Sequence, residues 1–190
     1  MSRLKFSLAA VLLAFATATA ASAQAVDGPG PNLVIEVAGA ANGTIVIDLL
    51  ADVAPLHVAQ ISTLAAQGAY DNVVFHRVID GFMAQTGDVR HGKAGGDLSY
   101  AGTGDSDLPN IKAEFSTDLS FQRGVVGMAR AADPDSANSQ FFIMFAPGEF
   151  LDGQYTIVGN VISGMEVVDA IQRGEPPGTP DVMTKVTLQP

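Results

Sequence analysis

The chemistry that this sequence can offer is concentrated in one block, Phe75-His76-Arg77-Val78-Ile79-Asp80-Gly81-Phe82-Met83-Ala84-Gln85-Thr86-Gly87-Asp88. Side chains alternate between faces along a strand, so two strands flanking the Asp80-Gly81 turn would send Arg77 and Gln85 to one surface with Phe82 or Met83 nearby. A guanidinium beside apolar side chains suits a ligand that presents a carbonyl and a hydrophobic ring together. Taken alone, the same residues also read as a surface arginine beside an ordinary core strand. Later blocks repeat the mixture of amide and aromatic groups: Gly127-Met128-Ala129-Arg130, then Asn138-Ser139-Gln140-Phe141-Phe142-Ile143, then Phe150-Leu151-Asp152-Gly153-Gln154-Tyr155-Thr156-Ile157-Val158-Gly159.

Other chemistries find no footing. There is no nucleophile elbow, no phosphate-cradling glycine loop and no histidine pair at zinc-ligand spacing. The chain has no cysteine, which excludes thiol catalysis, redox switching and cysteine-ligated zinc. His57 falls in an expected helix, where a packed or solvated histidine is the plain reading, and His91 has no ligand-spaced partner. The acidic residues from Asp97 to Asp107 lack the spacing of a calcium loop and read as a solvated segment. Twenty acidic residues against ten basic ones argue against nucleic acid or anionic lipid as a partner.

The elements that must position these groups are mostly strands. Eight β-type runs are visible: Leu33 to Val37, Thr44 to Leu49, Val73 to Ile79, Phe82 to Thr86, Gly124 to Ala129, Phe141 to Phe145, Tyr155 to Val161 and Val182 to Leu188. Their regular spacing favours a sandwich or barrel. A first helix is expected from Asp52-Val53-Ala54-Pro55, with Val58, Ile61, Leu64 and Ala65 at helical spacing up to Gly68. A second is expected from Ser163-Gly164-Met165-Glu166 through Ile171, stopped by Gly174 and Pro176-Pro177. Between Val89 and Asn110 the sequence reads as a long surface loop with no assigned role.

In their order and spacing, the three blocks resemble those of the cyclophilins, and the resemblance runs from about Leu33 to Leu188. It implies a mainly β fold, a closed eight-stranded antiparallel β-barrel capped by two α-helices, with a substrate groove on its outer surface. It implies peptidyl-prolyl cis/trans isomerase activity without a metal or organic cofactor. The family's catalytic arginine falls on Arg77 and its polar partner on Gln85. The proline pocket falls on Phe82, Met83, Phe142 and Leu151, with His76, Ala129, Arg130, Gln140, Phe150 and Tyr155 around the groove, while Phe141 belongs to the core. Arg130 stands where animal members carry Asn, Phe150 where they carry Trp and Tyr155 where they carry His. All three resemble bacterial members and bear on drug affinity and substrate preference rather than on catalysis. The alternative is a cyclophilin-fold binding module or chaperone whose catalysis is incidental.

The first residues suggest an address. Arg3 and Lys5 precede an uncharged run from Leu8 to Ala20 that ends in Ala21-Ser22-Ala23, the pattern of a secretory signal peptide over residues 1–23. A flexible segment over 24–31 and a single isomerase domain over 32–190 are expected to follow. Without its leader the chain would carry eight basic and twenty acidic residues, a formal charge of −12. The expected product is a monomer of the periplasm, with no membrane attachment after cleavage and no nucleic-acid partner. Its partners would be proline-containing unfolded or loop segments of exported proteins.

Overall fold

Strands form where β-branched and apolar residues alternate. In the computed structural model, which describes residues 26–189, β1 (Asn32–Ala38) and β2 (Gly43–Leu49) pair antiparallel with Leu33 opposite Ile47 and Ile35 opposite Ile45. All four of those side chains are buried. Gly28 and Leu49 extend this contact towards the N-terminus: the Gly28 N–H donates to Asp48 Oδ2, and the Leu49 N–H donates to the Pro31 carbonyl.

The remaining strands are β3 (Val73–Val74), β4 (Arg77–Ile79), β5 (Met83–Thr86), β6 (Val125–Met128), β7 (Phe141–Met144), β8 (Ile157–Ser163) and β9 (Val182–Gln189). They form one antiparallel sheet in the order β3-β9-β1-β2-β8-β6-β7-β5-β4. The run from Val73 to Ile79 is therefore two strands, which makes nine where the sequence suggests eight. The cause is a change of partner: Val73 and Val74 pair with Met183 and Val182, whereas Arg77 to Ile79 pair with Gln85 to Met83. At the switch, the Phe75 N–H donates to the Asp181 carbonyl and the His76 N–H to the Gln85 carbonyl. The nine strands form a curled antiparallel sheet, a half-barrel whose two end strands are β3 and β4.

Two helices flank the sheet. Helix α1 (Pro55–Ala66) begins at a proline, which needs no N–H partner there, and Ala54 before it offers no capping side chain. Glu114 supplies the cap from a distant loop, accepting from the Leu56 and His57 N–H groups at 3.1 Å and from His57 Nδ1 at 2.6 Å. The buried face of α1 is His57, Val58, Ile61, Leu64 and Ala65. Helix α2 (Met165–Ala170) follows Gly164, whose φ of 86° is easily reached only without a side chain, and it buries Val167 and Val168. No helix among the described residues is long and apolar enough to cross a membrane.

Strand alternation divides the apolar residues into two clusters. The concave interior holds Ile35, Ile45, Phe75, Ala84, Val126, Phe141 and Ile143, sealed by α1 and α2. The outer face of β5, β6 and β7 carries Met83, Val125, Phe142 and Met144, joined by Phe121, Leu151 and Ile157. Neighbours Phe141 and Phe142 thus belong to opposite faces, as the sequence pattern requires. The outer cluster is the floor of the candidate site.

Candidate active site

Antiparallel register brings four residues into one row across the outer face. Arg77 lies opposite Gln85, Gln85 opposite Phe142, and Phe142 opposite Gly127. The row depends on Gly127 having no side chain, since a β-carbon there would lie 2.5 Å from the Phe142 ring and 2.6 Å from the Phe121 ring. Those two rings stack with centroids 5.7 Å apart, and the Tyr155 ring meets Phe142 edge-on at 5.9 Å. One row further along, Met83 pairs with Met144 and is fully buried.

A groove of about 280 Å³ opens above this floor, lined by Arg77, Phe82, Met83, Gln85, Ala129, Arg130, Phe142, Phe150, Leu151 and Tyr155. Phe82 forms one wall with Phe150, their centroids 5.6 Å apart, and Phe150 is 66% exposed at the rim. Arg130 does not swing freely: its Nε and one Nη donate to the Gln154 carbonyl at 3.1 and 2.9 Å, and its guanidinium carbon sits 4.5 Å from the Tyr155 ring centroid. Cation–π contact and carbonyl ligation together make Arg130 a fixed wall.

The two other residues named from sequence lie beside the groove. Gln140 is buried and links outward and inward: its Nε2 donates to the Gly102 and Gly104 carbonyls, and its Oε1 accepts from Gln85 Nε2 at 3.0 Å. His76 lies beneath Gly102 with neither ring nitrogen hydrogen-bonded to a described residue. Burial pushes its pKa below the ordinary value, and the nearby Asp88 carboxylate offsets this only in part. A neutral, buried imidazole is suited to packing and not to proton transfer.

Sequence reasoning missed what the loop from 89 to 110 does. Its Gly102, Thr103, Asp105 and Asn110 line a second recess of about 300 Å³, which shares Gln85, Ala129 and Arg130 with the groove. The loop is organised by Asp88, whose Oδ1 accepts from the Arg90 and His91 N–H groups and whose Oδ2 accepts from those of Gly102 and Gly104. The glycines were the available signal, because Gly104 is pressed against the Asp88 carboxylate and Gly102 adopts a φ of 95°. Glu175 was also missed; its Oε2 accepts from Arg77 Nε at 2.8 Å. Among the described residues no three metal-ligating side chains are grouped.

An amide donor and a guanidinium aimed across an apolar cleft can grip a peptide carbonyl and a ring at once. The chain is similar in sequence and in fold to proteins of one family. Residues 33–189 match the family model "Cyclophilin type peptidyl-prolyl cis-trans isomerase/CLD". A "probable peptidyl-prolyl cis-trans isomerase" of Brucella suis is 52% identical over 155 residues, covering 78% of this chain and 79% of its own. A "peptidyl-prolyl cis-trans isomerase-like 1" of Aspergillus niger is 39% identical over 66% of this chain and 74% of its own. Among solved structures, the cyclophilin AquaCyp293 from Hirschia baltica superposes with a TM-score of 0.71 at 28% identity, covering 85% of this chain and 74% of that one. Sequence, fold and groove lead to one assignment: this chain belongs to the cyclophilin-type peptidyl-prolyl cis-trans isomerases.

Proposed function

We propose that the groove binds an X-Pro segment with the proline ring on Phe82, Met83, Phe142 and Leu151, and that Arg77 is the catalytic group. An X-Pro bond has cis and trans forms within about 1 kcal/mol of one another but separated by a barrier of ~18–20 kcal/mol. In the twisted transition state the amide loses conjugation and the proline nitrogen gains an available lone pair. A guanidinium N–H can donate to that lone pair, an interaction that the planar ground state does not offer, which is the differential binding that catalysis requires. Gln85 holds the flanking carbonyl while the apolar wall holds the ring, so rotation is confined to one side of the bond. No proton changes hands, and the roles assigned to His76, Gln140, Ala129, Arg130, Phe150 and Tyr155 are to shape and orient.

The observation that carries this reading is that Arg77 shares its groove with the apolar wall, while its two terminal nitrogens make no hydrogen bond to a described residue. Arg77→Ala should leave a folded protein whose isomerisation of a short X-Pro peptide is slower by ~10²–10³-fold, the usual effect of losing one transition-state donor. Near-normal turnover in a folded mutant would remove Arg77 from the mechanism.

We further infer that the protein serves the folding of exported proteins. The support is the leader-like sequence over residues 1–23, which lies outside the described residues. Protein recovered from the producing cell should then begin at Gln24, and an intact Met1 terminus would count against export.

A further inference from the structure

Strand β4 is three residues long and hydrogen-bonds to only one strand, β5. Its other edge is occupied by three consecutive residues from the segment after α2. Arg173 Nε donates to Asp80 Oδ1 at 3.1 Å. Gly174 exchanges both backbone bonds with Val78, at 2.8 and 2.9 Å. Glu175 Oε2 then accepts from Arg77 Nε. The strap thus fastens the turn, the middle and the start of β4 in turn, and it ends on the one side chain of β4 that faces the groove with a charge.

The exposure of this last contact argues about its purpose. Arg77 and Glu175 side chains are 40% and 53% exposed. An ion pair that open to water contributes little to folding stability. What it does alter is the freedom of a long side chain. An arginine has several soft torsions, and a bond to Nε leaves both Nη groups unencumbered while restricting the plane in which they lie. Arg77 and Gln85 line both the groove and a recess of about 520 Å³ on its far side, whose other lining includes Leu98, Ala101, Glu175 and Pro176. Glu175 stands on the recess side, so its hold on Nε fixes that edge of the guanidinium and leaves the two Nη groups for the groove.

We propose that Glu175 is a positioning residue that holds Arg77 facing the groove. The inference rests on the reading of Arg77 as the transition-state donor. Its experiment compares Glu175→Ala, Glu175→Gln and Arg77→Ala with the natural protein, using exchange NMR on a short X-Pro peptide to separate kcat from KM. Glu175→Ala should lower kcat ~10-fold, below the ~10²-fold that a misplaced group can cost, because backbone pairing of Gly174 still frames the site. KM should hold to within about twofold, since ground-state binding is carried by the apolar wall. Glu175→Gln keeps an oxygen acceptor and should recover most of kcat. In protein with ¹⁵N-labelled arginine, the Arg77 Nε–H signal should shift in Glu175→Ala and return in Glu175→Gln. Unchanged or raised kcat in Glu175→Ala, with Arg77→Ala inactive, overturns the positioning role alone. A rise in KM at constant kcat overturns it too, by making Glu175 a substrate contact. Activity retained by Arg77→Ala would defeat the underlying reading instead.

Discussion

Replacing Asp88 by Asn tests how the 89–110 loop is held. The carboxylate is fully buried and accepts four backbone N–H groups, from Arg90 at 3.1 Å, His91 at 2.7 Å, Gly102 at 2.7 Å and Gly104 at 2.9 Å. Asparagine keeps one oxygen, so two of these bonds survive and the new amide faces the other two donors. A hydrogen bond to a charged group contributes about 1.5–3 kcal/mol, so losing two costs about 3–6 kcal/mol. Against a total stability of about 5–15 kcal/mol, that is a large fraction. At a urea slope of about 2 kcal/mol/M, the unfolding midpoint should fall by about 2 M. The loosened glycines also carry the carbonyls that fix Gln140, and through it Gln85, so turnover should fall along with stability. Burial pushes the Asp88 pKa up, but the four donors outweigh it and hold the carboxyl below its ordinary value of 3.8. Its stabilisation is therefore complete above that pH and is lost as pH falls below it, so the gap between natural protein and mutant should narrow there. A folded Asp88→Asn protein that loses less than ~1 kcal/mol at neutral pH would refute the argument.

Two further outcomes follow from the same structure. Phe150 keeps the apolar contact with Phe82 but lacks the indole donor that the family resemblance associates with cyclosporin-type macrocycles, so Phe150→Trp should bind such a macrocycle ~10- to 100-fold more tightly. Equal inhibition of the two proteins would place Phe150 outside the binding groove. Burial lowers His57 despite Glu114, and burial lowers His76 despite Asp88, with the Arg77 charge adding to the effect. Both bind a proton less readily folded than unfolded. Stability is thus fully present above the unfolded value near 6.5 and is lost as pH falls through 6.5 towards the folded values. Urea titrations about one unit either side of 6.5 check the sign, and greater stability on the acid side would contradict it.

What the sequence revealed depended on the range of the interactions involved. Arg77 and Gln85 could be placed on one surface because a hairpin and strand alternation determine that locally, and Phe141 and Phe142 could be separated for the same reason. The groove walls contributed by Phe150, Leu151 and Tyr155 came from family resemblance, since no periodicity links them to Phe82. The split at Phe75-His76 was hidden because the run is uniformly strand-like, and the break lies in its partners, not in its residues. The role of the loop to Asn110, signalled only by its glycines, and that of Glu175 were hidden for a related reason. Each is placed by hydrogen bonds between residues apart in sequence, Asp88 to Gly104 and Arg77 to Glu175, whose pairing no periodicity reveals. Glu114 capping α1 from 57 residues beyond His57 is a third case.

The ends of the sheet carry a consequence for life among unfolded chains. An open strand edge is a template on which another extended chain can add, and proteins commonly guard against this. Here both ends are short and already occupied. Along β3, the Val74 N–H donates to the Gly92 carbonyl and the Ala94 N–H to that of Asn72, with Val73 bridged to Lys93. Along β4, Gly174 takes both bonds of Val78. Among the described residues neither end of the sheet leaves a ladder for another extended chain to join, so a protein proposed to bind such segments is guarded against being recruited into their aggregates.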